Sequence, residues 1–382
     1  MHLVDATLFY SPTSGGVKRY LSAKHAWLAA HTSWEHTIVV PGRDTHVERG
    51  GVCTLSGHPV PGTFNYRLPL NPRRWTRLLD ALQPTLIEAG DVFHPAWAGW
   101  LVAQRRGIPL VGFYHSNLPQ LAGRRLCGWF TEPLLRRYVR LLYERCDLVF
   151  APSRLMCEYL QRIGIPQVVH QPLGVDAEVF NPARRSDTLR ECLDLPPHAR
   201  VLVYAGRFAE EKNLPVLLQA FARLGAPYHL LLIGGARRAR PAANVTMMPY
   251  RGNSHELAQW IASADALVHA GTQETFGLVI LEAMACGRPV VAARAGAFPE
   301  CVDETVGALA EPHSVADMAA AIASLYERDL DAVGAAARAR VLQHFTWNRA
   351  FNTQIAAYAA LVGAQRVAVA DTPILELRSP SS

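Results

Sequence analysis

Hydrophobic positions along the chain fall in short apolar runs, and longer segments with helical periodicity lie between these runs. In the first half the runs predict strands in HLVDATLFY, HTIVVPG, TLIEAG, PLVGFYH and CDLVFAP. In the second half they predict strands in VLVYAG, YHLLLIGG, VTMMP, DALVHAG and PVVAAR. Helices such as KRYLSAKHAWLAAH and NLPVLLQAFARL lie between the strands, which is typical of βαβ units, so the sequence predicts an α/β fold with parallel sheets.

The strand pattern starts again near Arg200, after a proline-rich stretch. Because 382 residues exceed what one hydrophobic core usually holds, we expect two α/β domains. The predicted divisions are residues 1–178 for the N-terminal domain, 179–345 for the C-terminal domain, 346–365 for a final helix and 366–382 for a loose tail. Ligands of such proteins bind at the carboxyl ends of the strands, in the crevice between domains, so polar residues that follow strands are the candidates.

Charge and cysteine content narrow the class of protein. Thirty-eight Lys and Arg against 32 Asp and Glu give +6, which suits a phosphate-bearing ligand or an anionic membrane surface as readily as nucleic acid. The seven cysteines form no C-x-x-C pair, so we expect reduced thiols in the core. No apolar run reaches about 20 residues, and the N-terminal run contains Asp5 with no basic segment before it. We therefore expect a soluble protein of a reducing compartment such as the cytoplasm.

The segment SPTSGGVKRY follows the first predicted strand. Gly15 and Gly16 lack a Cβ, so a ligand can approach the backbone, and the helix that follows would point its first N–H groups at it. This favours contact with a phosphate or sugar, although two glycines also suit an ordinary turn. The segment matches neither the G-x-G-x-x-G fingerprint nor a P-loop.

Two cations follow the first strand of the second half, in YAGRFAEEKN. Arg207 offers a planar fork and Lys212 a point charge, a combination that suits a diphosphate. Asn213 can cap the helix that follows. The alternative is a solvated loop in which Glu210 and Glu211 pair with the two cations.

Two histidines lie after strands of the first half. His115 follows PLVGFY and would lie at the mouth of the first sheet, where an imidazole can bond a sugar hydroxyl or orient a reacting group. His94, in GDVFHPAW, is a weaker candidate at another strand end. A histidine in this position is also common as a structural loop residue.

The segment GTQETFGLVILEAMACG sets a glutamate on each side of an apolar run. Thr275 can cap a helix from about Phe276 to Cys286, so Glu274 precedes this helix and Glu282 lies within it. The unsatisfied backbone N–H groups at the start of that helix suit an anion; they belong to Phe276, Gly277 and Leu278. Alternatively, Glu274 only complements the helix dipole and Glu282 lies exposed on one helix edge.

Two further features lie outside these loops. In LLRRYVRLLYERC, Arg136, Arg137 and Arg140 fall within about a 100° sector of a helix, which suits a basic amphipathic helix on anionic lipid. Trp129 and Phe130 precede it; an ordinary helix packed on its own domain is the alternative. A single D-x-D, formed by Asp329 and Asp331, is read as a solvated helix face rather than a metal site.

Together these segments resemble the large retaining glycosyltransferase family 4 (glycosyl transferases group 1), which has the GT-B fold. ETFGLVILEAMACGRPVVAARAGAFPE resembles the family's E-x7-E signature and the segment after it. Further similarity lies in SGGV, in YHS at His115, in PLGVDAEVFNP and in AGRFAEEKN. The segment HFTWNRAFNTQIAAYAALV resembles the closing helix that crosses back to the N-terminal domain. The resemblance implies two Rossmann-like domains facing each other across a deep cleft.

The resemblance also implies roles for the candidate residues. The diphosphate would contact Gly16, Arg207, Lys212 and backbone near Leu278, and Gly15, Phe276 and Gly277 would complete the donor-binding backbone. Glu274 would bind hydroxyls of the donor sugar, and Glu282 would bind the ribose. His115 would bond the transferred sugar near its anomeric centre. The implied catalytic set is therefore His115, Arg207, Lys212 and Glu274.

The implied reaction moves a hexose from a nucleotide sugar to a hydroxyl acceptor with retention of configuration. GDP-mannose and UDP-glucose remain open as donors, and the local pattern is similar to lipid-glycosylating mannosyltransferases, so a lipid or lipid-linked acceptor and peripheral contact with an anionic membrane are expected. The resemblance implies no cofactor, no catalytic metal and no nucleic acid. A nucleotide-sugar epimerase of the same architecture and a non-catalytic nucleotide-sugar-binding module remain as alternatives.

Overall fold

The computed structural model describes most of the chain, around two sheets that consist largely of parallel strands. The described residues are 1–10, 15–60, 66–69, 71–123, 128–235, 238–249 and 252–370. Short runs of Val, Ile, Leu and Ala form the central strands, which are buried because helices cover both faces of each sheet. The α/β class and the ten strands named from the sequence are confirmed.

The first sheet has seven parallel strands in the order β3-β2-β1-β6-β7-β8-β9. Its strands are β1 (His2–Ala6), β2 (Glu35–Gly42), β3 (Val52–Ser56), β6 (Leu86–Ala89), β7 (Leu110–Phe113), β8 (Leu148–Ala151) and β9 (Val168–His170), and β4 (His58–Pro59) with β5 (Arg67–Leu68) forms a separate hairpin. Its helices are α1 (Gly16–His31), α2 (Pro72–Ala81), α3 (His94–Arg106), α4 (Leu118–Gly123), α5 (Gly128–Tyr143) and α6 (Arg154–Arg162). This order reverses at β1, so ligands are expected beyond the ends of β1 and β6.

The second sheet repeats the design in the order β12-β13-β11-β10-β14-β15-β16, with only β12 antiparallel. Its strands are β10 (Arg200–Ala205), β11 (Tyr228–Gly235), β12 (Ala239–Ala242), β13 (Val245–Pro249), β14 (Ala266–His269), β15 (Val290–Ala293) and β16 (Gly307–Ala310). Its helices are α7 (Leu189–Cys192), α8 (Leu214–Leu224), α9 (Ser254–Ser263), α10 (Leu278–Ala285), α11 (Phe298–Cys301), α12 (Val315–Leu325) and α13 (Leu330–His344). Here the order reverses between β10 and β14.

The last helix, α14 (Trp347–Ala370), returns to the N-terminal domain and packs against α1. The Trp27 indole N–H donates to Asn348 at 3.0 Å. The helix runs five residues past the predicted end at 365, because AQRVAVA continues with good helix formers and the first proline comes only at Pro373. The predicted loose tail is therefore wrong for residues 366–370, and residues 371–382 lie outside the described residues.

A buried charge network fixes α1 to the first sheet. Lys24 is fully buried, and its ammonium lies 2.8 Å from an Asp5 oxygen and 2.9 Å from a Glu88 oxygen. Burial raises the pKa of Glu88 to about 8 despite the nearby ammonium, whereas Lys24 and His36 overcome burial and hold the pKa of Asp5 at about 2. The Gln354 amide of α14 donates to Glu88 at 3.1 Å, so the returning helix joins the same network.

Cysteine placement agrees largely with expectation. The six described cysteines are free thiols, and four of them are buried: Cys53, Cys146, Cys286 and Cys301. Cys157 is partly exposed, Cys192 lies at the surface rather than in the core, and Cys127 lies outside the described residues. Among the described helices, none combines the length and the apolar character needed to cross a membrane.

Candidate functional site

The carboxyl ends of the two sheets face each other, and the starts of α1 and α10 meet there. A Cβ placed on Gly16 would lie 3.4 Å from Leu278 Cδ1, so the starts of the two helices lie within van der Waals reach of each other. The Thr275 hydroxyl donates to the His115 carbonyl oxygen at 2.9 Å across the same cleft. Residues from both domains that the sequence singled out are thus brought together.

Lys212 and Glu274 form an ion pair in this cleft. The Lys212 ammonium donates to Glu274 Oε1, and both side chains are largely buried. Burial raises the pKa of the Glu274 carboxyl. Lys212, His269 and Arg207 together lower this pKa by more than burial raises it, so it lies below the ordinary value. Glu274 is therefore an ionised acceptor of hydrogen bonds, held in place by a cation.

Arg207 lies at the more open side of the pair. Its guanidinium is about half exposed, 3.4 Å from a Glu211 oxygen, and its carbonyl accepts a hydrogen bond from the Tyr204 hydroxyl at 2.8 Å. The alternative that Glu210 and Glu211 neutralise both cations is right only for Arg207, because Lys212 turns to Glu274.

Asn213 corrects one prediction. It occupies the position before α8 but has φ of +50°, and its side chain makes no capping hydrogen bond. Its amide instead donates to the Ala270 carbonyl at 3.1 Å and to the Thr272 hydroxyl at 3.3 Å. The loop after β10 is thereby tied to the loop after β14, which places Lys212 beside Glu274.

The start of α10 also differs from prediction. The helix begins at Leu278 rather than Phe276, and Thr275 does not cap it because its hydroxyl binds His115. Gly277 precedes the helix with φ of +88°, and a Cβ there would lie 2.7 Å from Phe298 Cε1. The Phe276 side chain is buried, and the first turn of α10 begins two residues later, at Leu278. No side chain caps the start of α10 or of α1 in the described structure.

Glu282 is buried, which excludes the alternative of an exposed helix edge. Its Oε1 accepts a hydrogen bond from the Arg19 guanidinium of α1, and its Oε2 is buried without a hydrogen-bond partner among the described residues. Sequence reasoning missed Arg19. The available signal was its spacing, since a residue three after Gly16 lies on the same face of a helix.

His115 lies at the end of β7 as predicted. Its ring stacks on Phe113 with centroids 4.1 Å apart, and its Nε2 is buried without a hydrogen-bond partner in the described structure. Burial, reinforced by Lys24 and partly offset by Asp5, lowers the pKa of the imidazole to about 3. His115 is therefore neutral at physiological pH, and its Nε2 can still form a hydrogen bond. It lines a small cavity with Thr7 and Gly90.

His269 is a second histidine, and the sequence reading passed over it. It ends β14, is buried, and its Nδ1 accepts the Gly271 N–H at 3.0 Å. Its other nitrogen must then carry the proton, and it lies 3.6 Å from Glu274 Oε1. Burial lowers the pKa of His269 to about 4, with Glu274 and Lys212 acting in opposite directions.

His94 and the D-x-D segment, two weaker candidates, both lie at the starts of helices. His94 begins α3, with Nδ1 buried and without a hydrogen-bond partner in the described structure. The Asp329 carboxylate accepts the backbone N–H groups of Asp331 and Ala332, each at 3.0 Å. The D-x-D is thus the start of α13, as the helix reading predicts.

Family comparisons match nearly the whole folded region. The sequence profile described as Glycosyltransferase Family 4 matches residues 14–179, and the profile described as Glycosyl transferases group 1 matches residues 199–328. Among curated proteins, a GDP-mannose-dependent alpha-(1-6)-phosphatidylinositol dimannoside mannosyltransferase of Mycobacterium tuberculosis is 31% identical over 96% of this chain and 98% of its own. The sulfoquinovosyl transferase SQD2 of Arabidopsis thaliana is 29% identical over 80% of this chain and 62% of its own.

Solved structures share the fold. Sucrose-phosphate synthase from Thermosynechococcus elongatus superposes with a TM-score of 0.80 at 23% identity, covering 95% of this chain and 99% of that one. Anabaena HepE in complex with UDP and glucose superposes with a TM-score of 0.74 at 21% identity, covering 94% of this chain and 99% of that one. The predicted arrangement of two Rossmann-like domains across a cleft is confirmed by these likenesses.

The buried histidines predict a loss of stability in acid. A lowered pKa in the folded protein means that the neutral form's contribution to stability is complete above about pH 6.5 and is lost as the pH falls toward about 4. We expect His269→Asn to flatten this decline by up to about 1.4 kcal/mol per pH unit. Denaturant unfolding at several pH values measures this pH dependence of the free energy of unfolding.

His229 supplies the matched control for this prediction. It is buried, bonds Thr246 at 2.9 Å away from the cleft, and burial lowers its pKa to about 4 as well. We expect His229→Asn to flatten the acid decline similarly, while only His269→Asn weakens binding of a nucleoside diphosphate. An unchanged acid decline in both variants would contradict the assignment of neutral, buried imidazoles.

Proposed function

The chain belongs to glycosyltransferase family 4 and is a hexosyltransferase of GT-B fold, and on this premise we propose that it transfers mannose from GDP-mannose to a phosphatidylinositol-type lipid acceptor. Transfer of a hexose from a nucleotide sugar follows from the family. The donor and the acceptor are our proposal, supported by the 31% identity over 96% of the chain to a mannosyltransferase named for those two substrates.

The observation that carries the site assignment is the Lys212–Glu274 pair in the cleft between the two helix starts. A diphosphate bound beside Gly16 and Leu278 would meet the backbone N–H groups at the starts of α1 and α10. Arg207 and Lys212 lie on one side of it and supply the positive charge. These groups would bind the diphosphate and stabilise the charge that builds up as it departs.

The sugar would lie between Glu274 and His115. Glu274 is ionised and accepts hydrogen bonds from sugar hydroxyls, while Lys212 fixes its orientation. His115 is neutral, so its unpartnered Nε2 can bond a hydroxyl near the anomeric carbon without adding a positive charge there. The hydrogen bond from Thr275 to the His115 carbonyl holds the two segments together, which supports a common sugar ligand for Glu274 and His115.

Retention is explained by attack of the acceptor on the face from which the diphosphate leaves. The bond from the acceptor oxygen to the anomeric carbon forms, the bond from that carbon to the phosphate oxygen breaks, and the acceptor proton passes to the departing phosphate. Glu274 and Glu282 are both paired with cations, which suits binding roles better than a nucleophilic role. Arg207 and Lys212 supply the charge for this step, so we infer that no metal is required.

Removing either member of the ion pair tests this assignment. Lys212→Met and Glu274→Gln should each lower kcat/KM about 10²- to 10³-fold, because each removes a preorganised group at the reacting centre. The assay separates transferred mannose, free mannose and any epimerised donor by chromatography. Epimerised donor formed without an acceptor would instead favour the epimerase.

Arg49→Met is the matched control for loss of one positive charge. Arg49 pairs with Glu35 at an exposed site near the start of β2. This site lies at the amino-terminal end of the strands, opposite the cleft. Its variant should keep wild-type kcat/KM. Full activity in both Lys212→Met and Glu274→Gln would refute the assignment of these residues to the donor site.

Because the proposed acceptor is a lipid, α5 is a candidate for contact with the membrane surface. Val139 and Leu142 are buried against the domain, whereas Leu134 and Leu141 are 68% and 46% exposed and lie seven residues apart on one outward face. Arg136 and Arg140 pair with Glu132 and Glu144, respectively. Trp129 and Phe130 belong to a stretch whose side chains the structure does not describe.

This outward face combines exposed leucines with arginines, a composition that suits the headgroup region of an anionic membrane. The intrahelical pairs offset two of the three charges, so Arg137 contributes most of the attraction and the leucines contribute apolar area. We infer that α5 brings the acceptor side of the cleft to the lipid surface.

Vesicle binding tests this face. Replacing Arg136, Arg137 and Arg140 with Gln should reduce co-sedimentation with vesicles of phosphatidylcholine and phosphatidylinositol severalfold, because a basic residue such as Arg137 near an anionic surface contributes about 1 kcal/mol. The control replaces three exposed arginines outside α5 with Gln: Arg185, Arg223 and Arg349. Equal binding by both triple variants would contradict the assignment to α5.

A further inference from the structure

An ion pair joins the two domains at the wall of the donor site. Arg19 projects from α1, one turn after Gly16, and its guanidinium donates to Glu282 Oε1 of α10. The Arg19 side chain is 23% exposed and the Glu282 side chain only 3% exposed. The contact therefore lies where the cleft is closed but still within reach of a ligand.

Glu282 needs hydrogen-bond donors because it is buried. An ionised carboxylate taken out of water is costly unless groups donate to its oxygens. Arg19 satisfies Oε1, and Oε2 is buried without a hydrogen-bond partner among the described residues. One oxygen of Glu282 thus accepts a hydrogen bond from a side chain of the opposite domain, and the other oxygen can accept a hydrogen bond from a ligand.

The ribose of a nucleotide offers the same chemistry as the guanidinium. Its 2′ and 3′ hydroxyls are two neighbouring donors, and a carboxylate accepts both, just as it accepts two N–H groups of an arginine. We propose that Arg19 stands in for the ribose diol at Glu282 when the cleft is closed without donor, and that the incoming ribose displaces it. The inference rests on the proposed function, in which Glu282 binds the ribose.

Displacement sets the selectivity for the ribose. A nucleotide that carries both hydroxyls gains two hydrogen bonds to Glu282 but breaks the contact with Arg19, so its net advantage is reduced. A nucleotide without the hydroxyls leaves Arg19 on Glu282. Arg19 therefore lowers the discrimination between the two ligands, while its charge acts on the diphosphate of both alike.

The experiment measures Kd by titration calorimetry for GDP and for 2′,3′-dideoxy-GDP, or for the uridine pair if the protein prefers UDP. In Arg19→Met the ratio of the dideoxy Kd to the GDP Kd should rise about three- to tenfold, because the competitor for Glu282 is gone. Arg19→Lys, which keeps the charge but loses the planar fork, should give a smaller rise. A ratio that stays the same or falls in Arg19→Met overturns the proposal.

Two control variants separate the possible failures. Glu282→Gln should lower the ratio sharply; if it leaves the ratio unchanged, Glu282 does not bind the ribose and the site assignment in the proposed function fails, and this inference with it. If Glu282→Gln lowers the ratio and Arg19→Met does not raise it, only the role of Arg19 is refuted.

The second control is Glu300→Ala, which breaks a different contact between the domains. The Glu300 carboxylate accepts the N–H groups of Arg154 and Leu155 at the start of α6, at 2.8 and 2.9 Å. Its loss should leave the ratio unchanged. A rise equal to that of Arg19→Met would mean that any weakened domain contact has this effect, and would overturn the proposal.

Discussion

Buried carboxylates that need a cation organise this molecule. Glu88 holds Lys24 beneath the first sheet's binding edge, Glu274 holds Lys212 in the cleft, and Glu282 holds Arg19 across it. The chain contains only three lysines, and two of them serve these carboxylates. Because an unpaired buried charge is strongly destabilising, each pair fixes two elements of the fold relative to each other. The proposed donor site is therefore built from the contacts by which the fold neutralises its own buried acids.

The sequence predicted the parts of the site that follow from local pattern. Apolar runs located the central strands, and the rule that ligands bind at strand ends selected Arg207, Lys212, Glu274 and His115. The spacing of Arg19 from Gly16 was a usable signal, but the pair with Glu282 could not be predicted because it joins residues 263 positions apart in different domains. Nor could the sequence predict the buried state of Glu282, since the outward and inward faces of an almost wholly apolar helix look alike in sequence.

The errors at helix starts have one physical cause. Thr275 and Asn213 belong to residue types that often cap helices, yet the side chain of each donates a hydrogen bond to another loop. Thr275 bonds the His115 carbonyl across the cleft, and Asn213 bonds the carbonyl of Ala270. Tertiary contacts at the cleft thus override local capping preference, and they leave the start of α10 without a side-chain cap.

We propose that this cleft transfers a hexose with retention, using cationic side chains and no metal. The anomeric configuration of the product tests this proposal and can be read from the one-bond carbon–proton coupling of the transferred sugar by NMR. The reaction would use GDP-mannose, in which mannose is α-linked, with phosphatidylinositol vesicles in the presence of EDTA. We expect an α-linked mannolipid. A β-linked product, or transfer that requires an added divalent metal, would refute the proposed mechanism.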